Sequence, residues 1–382
     1  MSRHDLFICS VGVVSPAGTG VERLVAALAD PAWEPTVGLD RPDGPPLPVA
    51  VCHDFSPRNV LSPMVARRLD RPAKLLAVAA REALAAIGDP LPWDRTQVGI
   101  TSGTWNAGTS ALVDVLRAVF LTSPEEAPPA QFPSTVANAP ASQLGILERL
   151  GGPNLTFAEK QASGLRAVIE GGRLLTHGRA AAILACGVDE ADWLNAEGYA
   201  RLGVLADAPG HTGMRMGEGA AVLILAPEPI GVPLARLAGW ASSGTASEPW
   251  LYPDCPDALI DASRRALENA ERAPTDVDLV LSLANGIPYL GGLELAALAE
   301  VFGDHRPAAL STNERLGEAG FASILRVAVA ALVVAGRARP AWTPAPHLAA
   351  MGFPPVASQP RTALVTAVAG GGSSLAVVLT AV

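Results

Sequence analysis

The sequence predicts an α/β protein made of two similar halves, residues 1–232 and 233–382. Short apolar runs typical of strands alternate with longer amphipathic runs typical of helices along the chain. Hydrophobic residues make up 49% of the 382 residues and charged residues only 17%, which suits elements that are covered on both sides. Near residue 233 the alternation restarts with comparable elements, which indicates an internal pseudo-repeat.

The first half begins with an apolar strand, LFICSVGVVS, which a Pro/Gly turn separates from the helix VERLVAALAD. Residues 30–60 are rich in Pro and Asp and predict surface loop or short edge structure. Residues 65–88 predict one amphipathic helix that ends at Gly88. The strand QVGITSG and the helix SALVDVLRAVF follow.

The rest of the first half predicts a strand, helix, strand unit with a right-handed crossover. It consists of NLTFA, a turn at Lys160 and Gln161, the helix SGLRAVIEGGRLLTHG and the strand AAAILACGVDE. Another strand, AAVLILAPE, completes the half. The second half then predicts the helix DALIDASRRALENA, the strand VDLVLSLANG, two further helices and a terminal strand pair around GGG.

Charge and cysteine content exclude several classes of function. A formal net charge of −9 without a basic stripe argues against nucleic acid as a partner. The four cysteines share no CxxC or CxxH spacing, so we predict free thiols and no metal site. No apolar run approaches the roughly 18 residues that cross a bilayer, so we expect no membrane partner and a cytoplasmic protein.

Several segments, spread in order over nearly the whole chain, carry a family resemblance. They are SVGVVSPAGTG, RRLDRPAKLLAVAAREAL, FPSTVANAPASQL, GPNLTFAEKQASGL, ACGVDE, MRMGEGAAVLIL, ANGIP before ELAALAEVFG, ERLGEAGFASIL and GGGSSLAVVL. Together they resemble the β-ketoacyl synthase family, which has the thiolase fold. The resemblance implies two pseudo-repeated α/β halves in a layered α-β-α-β-α core.

The resemblance also marks where catalytic members of the family carry their reacting groups. Their cysteine, whose pKa a helix N-terminus lowers, corresponds to Gln161. Their two histidines correspond to Asn285 and Glu314, and their lysine to Ala309. An amide cannot form the thioester on which acyl transfer depends, and neither Asn nor Glu replaces an imidazole. We therefore expect no condensing activity, and the resemblance implies no cofactor.

A glutamine in place of the cysteine on a kept scaffold resembles the chain length factor, the ketosynthase β subunit of type II polyketide synthases. This implies a heterodimer with a catalytic ketosynthase, and an acyl carrier protein that delivers the polyketide mainly through that partner. It also implies that the helix after the TSG strand forms the floor of the polyketide tunnel. The corresponding residues are Gly108, Ala111, Leu112, Val115 and Leu116, and the family's phenylalanine gate corresponds to Gly370.

These tunnel positions hold small or aliphatic residues, so we predict a longer or narrower tunnel, suited to an extended reduced or polyene chain. The same residues also fit an ordinary core stripe. Two other functions stay open: a glutamine-type decarboxylase of malonyl carrier protein, and a homodimeric pseudo-enzyme that only scaffolds other proteins. Asn285 and Glu314 argue against the decarboxylase, because that activity also relies on the family's two histidines.

Overall fold

The structure, a computed structural model, describes residues 6–206 and 212–382. Its strands are β1 Leu6–Ser15, β2 Gly18–Thr19, β3 Val37–Leu39, β4 Leu47–Ala50, β5 Val98–Gly103, β6 Asn154–Phe157, β7 Ala182–Asp189, β8 Gly219–Ala226, β9 Ala235–Gly244, β10 Leu279–Ser282, β11 Ala308–Ser311, β12 Thr362–Ala369 and β13 Ser373–Thr380. Its helices are α1 Val21–Ala29, α2 Pro63–Ala66, α3 Arg71–Ile87, α4 Thr109–Leu121, α5 Ala139–Glu148, α6 Ser163–Thr176, α7 Trp193–Arg201, α8 Asp257–Asn269, α9 Pro288–Phe302, α10 Asn313–Leu316, α11 Ala322–Val334 and α12 Pro346–Ala350.

The two halves of the sheet have the same strand order and the same strand directions. The first half runs β1-β8-β7-β5-β6 and the second runs β9-β13-β12-β10-β11. In each half the first two pairings are antiparallel and the last two are parallel. The predicted pseudo-repeat is confirmed. The division at residue 232 would fall in the connection between β8 and β9, and it remains a proposal.

Helices and sheet form five layers, as the family resemblance implied. Helices α3 and α5 cover the outer side of the first-half strands, and α8 and α9 cover the outer side of the second-half strands. Helices α6 and α11 pack against each other between the two sets of strands, and every residue of α11 is buried. The layered α-β-α-β-α core is therefore confirmed.

A glycine lets the two central helices meet closely. A Cβ atom at Gly164, in the first turn of α6, would lie 2.8 Å from the Gly320 oxygen and from the Ile324 nitrogen. Without it, the Gly164 amide donates to the Gly320 oxygen at 3.0 Å, and the Leu165 amide donates to Ser323 Oγ at 3.0 Å. This contact holds the start of α6 against the segment before α11.

The predicted continuous helix over residues 65–88 is wrong in its first part. A short helix, α2, ends at Ala66, and α3 begins only at Arg71. Asp70 caps α3, because its carboxylate accepts from the Ala73 amide at 3.0 Å. Pro72 lies in the first turn, where its missing amide hydrogen leaves no intrahelical hydrogen bond unmade. None of the described helices is both long and apolar enough to cross a bilayer.

Candidate functional site

Gln161 lies in the turn that joins β6 to α6, where it is 9% exposed. The preceding Lys160 has a φ of 50°, so the backbone reverses sharply ahead of the helix. Gln161 Nε2 donates to the Tyr252 hydroxyl at 2.8 Å. Its Oε1 is buried and has no hydrogen-bond partner among the described residues. The glutamine is thus a fixed structural side chain with no ionisable group.

Asn285 belongs to a buried polar group next to Gln161. Its Nδ2 donates to Glu318 Oε2 at 3.2 Å, and Asn313 Nδ2 donates to the same oxygen at 3.1 Å. The Tyr252 hydroxyl, which accepts from Gln161, also interacts with the Asn285 side chain. The phenol therefore links the glutamine to the Asn285 and Glu318 group.

Burial makes Glu318 and Tyr252 hard to ionise. Loss of hydration raises the pKa of Glu318 to about 7, although Arg326 and the Asn285 amide oppose the rise. Burial, and then the nearby Glu318 carboxyl, raise the pKa of the Tyr252 phenol, which stays protonated. The group around Gln161 thus offers amides, a phenol and one buried carboxyl, but no thiol and no imidazole.

The sequence interpretation missed Glu318 and Tyr252. Glu318 lies within the small-residue run GEAG, and an acidic residue in such a run indicates a buried carboxyl that could have been considered. Tyr252 lies in the connection between β9 and α8, far from Gln161 in sequence, and no pattern predicted that the two would meet.

Lys160 links two loops that lie beside Gln161. Its Nζ donates to the Gly370 oxygen at 3.0 Å and also to the oxygen of Pro249. A Cβ atom at Gly370 would lie 3.2 Å from both Lys160 Nζ and the Pro249 oxygen, so any side chain at this position would crowd its neighbours. The Gly371 amide donates to the Leu251 oxygen at 3.0 Å. The loops beside Gln161 are thereby tied together.

Glu314 and Ala309 do not join this polar group. Glu314 is half-buried on the wall of a pocket of about 610 Å³, which Asn285 and His347 also line. Burial raises the pKa of Glu314, and His347 opposes the rise. Ala309 is fully buried within β11 in the apolar cluster beneath α8 and α9. In this stretch it is Asn313, not Ala309, whose side chain reaches Glu318.

The predicted tunnel residues at α4 differ in exposure, and only Leu112 and Leu116 are exposed. Gly108 caps the helix with a φ of 88° and is buried, Ala111 is half-buried, and Val115 is buried. Leu112 and Leu116 are 40% and 41% exposed. An ordinary core stripe would bury these leucines, so that alternative is wrong for both. Gly370, the remaining predicted position, lies apart from α4 and against Lys160.

Further apolar side chains are exposed on α4, in the short turn at Phe132 that contacts it, and on β6. Phe120 and Leu121 at its end are 78% and 74% exposed, Phe132 is 66% exposed, and Leu155 on β6 is 41% exposed. Strand β6 is an edge strand that pairs only with β5 in the described part of the chain. The Thr104 amide, shortly before α4, donates to the Phe157 oxygen of β6 at 3.0 Å. We call α4, β6 and Phe132 the open face.

Within residues 6–206 and 212–382, no group of His, Cys, Asp and Glu side chains is arranged to hold a metal ion. The described cysteines Cys9, Cys52 and Cys186 are buried free thiols, and Cys255 is a half-buried one. Burial raises the pKa of the Cys52 and Cys186 thiols well above their usual range. These thiols do not lie beside Gln161 and offer no replacement nucleophile there.

Comparison with known proteins gives consistent matches. The profile of the β-ketoacyl synthase N-terminal domain matches residues 54–229, and the profile of the C-terminal domain matches residues 234–339. The tetracenomycin polyketide synthase ketoacyl synthase beta subunit of Streptomyces glaucescens is 30% identical over 97% of each chain. The 3-oxoacyl-[acyl-carrier-protein] synthase 2 of Coxiella burnetii is 26% identical over 89% of this chain and 88% of its own.

Solved structures have the same fold. The ishigamide ketosynthase/chain length factor superposes with a TM-score of 0.87 at 21% identity, and the match covers 100% of both chains. A ketosynthase in complex with its chain length factor from Xenorhabdus doucetiae superposes with a TM-score of 0.83 at 20% identity, over 99% of this chain and 98% of that one.

Proposed function

Because the chain belongs to the β-ketoacyl synthase family, we propose that it is a non-catalytic chain length factor. In this role it pairs with a catalytic ketosynthase and shapes the tunnel in which the polyketide chain grows during type II polyketide biosynthesis. The observation that carries the proposal is the hydrogen bond of Gln161, at the nucleophile position, to Tyr252. An amide held in this way can neither attack a thioester nor relay a proton. The similarity to a ketoacyl synthase beta subunit supports the same role.

The positions of the family's two histidines also lack the groups that condensation needs. Condensation needs groups that stabilise a carbanion and exchange protons near neutral pH. Asn285 cannot do this, and its amide is already committed to Glu318. Glu314 lies on the wall of the pocket that Asn285 also lines, and a carboxyl there does not replace an imidazole. The partner would therefore supply the cysteine and both histidines.

The open face supports the pairing. Folded monomers rarely expose contiguous apolar patches larger than roughly a few hundred Å², and such patches usually mark interfaces. An edge strand with a free side adds unpaired backbone groups that a partner strand can satisfy. Leu112 and Leu116 are exposed apolar side chains of α4, and Leu155 is an exposed apolar side chain of the edge strand β6. We assign this face to the ketosynthase, and the carrier protein to the ketosynthase rather than to this chain.

The tunnel floor would form where the ketosynthase covers α4. Ala111, Leu112 and Leu116 are accessible in the free chain and would become part of an enclosed apolar wall. Their side chains are small or aliphatic, so the enclosed space would be long or narrow. Such a tunnel suits an extended reduced or polyene chain better than a folded aromatic precursor.

Decarboxylation of malonyl carrier protein is the weaker alternative. A thioester would need a free path to Gln161 and donors aimed at its oxygen. Here the Gln161 amide already donates its hydrogen bond to the Tyr252 hydroxyl, and Lys160 ties the neighbouring loops together. Release of carbon dioxide by the purified chain from malonyl carrier protein would favour this alternative.

The proposal is tested by co-expression with a ketosynthase from the same gene neighbourhood that keeps its cysteine and both histidines. We expect a one-to-one complex on a sizing column, and polyketide product only when both chains are present. A stable homodimer that ignores the ketosynthase would contradict the proposal and favour the homodimeric scaffold.

A further inference from the structure

We propose that residues 245–253 form a built-in plug, in which Tyr252 fills the former reaction centre and Lys160 holds the segment closed against carrier-bound thioesters. The inference rests on the proposed function, because it concerns the centre that a chain length factor no longer uses. It adds that this centre is physically blocked as well as chemically inert.

Tyr252 stands between the two positions that a thioester would bridge. Its hydroxyl lies 2.8 Å from Gln161 Nε2 and interacts with the Asn285 side chain. In a catalytic relative the acyl carbonyl must come within bonding distance of the nucleophile and of the group beside it. The phenol already takes up both contacts, so a thioester can enter only after Tyr252 leaves.

Independent bonds hold the segment in place. Lys160 Nζ donates to the oxygens of Pro249 and Gly370, which belong to two different loops. The Gly371 amide donates to the Leu251 oxygen at 3.0 Å. The Tyr289 hydroxyl donates to the Pro253 oxygen at 2.8 Å. The segment is therefore anchored on both sides of Tyr252.

Only the segment that carries Tyr252 separates Gln161 from solvent on this side. Trp250 and Leu251 on its outer side are 74% and 51% exposed, whereas Gln161 directly inside it is 9% exposed. Removing the Tyr252 ring should therefore open a path from solvent to position 161.

The test places a reporter thiol inside the plug. Gln161→Cys puts a cysteine at the N-terminus of α6, where the helix keeps the thiol reactive. The full chain is treated with iodoacetamide, and peptide mass spectrometry gives the alkylation rate at position 161 relative to the urea-unfolded chain. Buried Cys186 serves as the internal standard for a closed site, and half-buried Cys255 as the standard for a more accessible one.

We expect slow alkylation at position 161 in Gln161→Cys, close to the rate at Cys186. Adding Tyr252→Ala should raise the rate at least about tenfold, because the site no longer depends on local opening. Tyr252→Phe is the matched control. It keeps the ring and should change the rate less than about threefold. Alkylation of Gln161→Cys at the unfolded rate, with Tyr252 present, would overturn the plug.

If Tyr252→Ala also raises alkylation of Cys186, the variant has lost its fold, and Lys160→Met in the Gln161→Cys background decides instead. Loss of the Lys160 bonds should raise the rate at position 161 several-fold while Cys186 stays protected. No rise would overturn the plug. Since this assay needs no ketosynthase, its failure is distinguishable from failure to form the heterodimer.

Discussion

The centre around Gln161 and the open face along α4 differ in almost every physical respect. The centre is polar and buried, and most of its polar groups have partners: Gln161 bonds Tyr252, and Asn285 bonds Glu318. The open face is apolar, and Leu116 and Phe120 on it are 41% and 78% exposed. A structure normally satisfies buried polar groups and covers large apolar patches. The centre meets this rule except at Gln161 Oε1, whereas the apolar side chains of the open face are left uncovered in the free chain.

A charge on the open face should have the largest effect. In Leu116→Asp the complex would have to bury an unpaired carboxylate, so we expect affinity for the ketosynthase to fall about 100-fold, or about 3 kcal/mol. Pull-down titration or sizing measures the loss. Val232→Asp is the matched control, because Val232 is 86% exposed in the connection between β8 and β9. Equal binding by the two variants would remove the open face from the interface.

The buried centre should give the chain a pH-dependent stability. The pKa of the Glu318 carboxyl is raised from 4.5 to about 7 in the folded state. Between these two pH values the folded chain keeps a proton that the unfolded chain has released. Stability from this group is therefore present at low pH and lost as the pH rises through 7. We expect Glu318→Gln to reduce the loss between pH 5 and pH 8 by about 2 kcal/mol.

Urea unfolding of the wild type and of Glu318→Gln at the two pH values measures this difference. Glu190 and Asp189 also have raised pKa values, of about 7 and about 6, but both remain in the variant and cancel in the comparison. If the free energy of unfolding changes equally between pH 5 and pH 8 in the two proteins, Glu318 stays ionised in the folded chain.

Removing the glutamine itself should have the smallest effect. Gln161→Ala loses one hydrogen bond to Tyr252, which should cost about 1 kcal/mol of stability. Because the side chain takes no part in acyl transfer, product yield from the complex should stay within about twofold. Urea unfolding and product quantification check the two parts. A large loss of product from a stable complex would mean that Gln161 acts on the substrate.

The alternation of strands and helices was enough to predict the two repeated halves, because β and α periodicities differ over each run. It was not enough to place the start of α3, although Asp70 and Pro72 carried that signal. It also missed Tyr252, because the meeting of this residue with Gln161 depends on the path of a loop between β9 and α8. Loop contacts of this kind leave no periodic pattern in the sequence.

Periodicity identified the apolar stripe on α4 but not what covers it. Leu112 and Leu116 have the spacing of a core-facing stripe, and the same spacing serves a helix that faces a partner. Only the exposure of these side chains in the folded chain separates the two cases. Asn313 was missed for a related reason, since the residue that reaches Glu318 depends on where β11 ends.

The proposed role of α4 in the tunnel is tested by the polyketide that the complex makes when a residue of this helix is replaced by a larger one. Ala111→Phe adds a ring to a half-buried position on the open face, with Val232→Phe as the control on an exposed connection. Mass spectrometry of the polyketide from the reconstituted heterodimer gives the chain length. We expect Ala111→Phe to shorten the product by one or more extension units while the control leaves it unchanged. An unchanged product from an intact Ala111→Phe complex would contradict the claim that this chain shapes the tunnel.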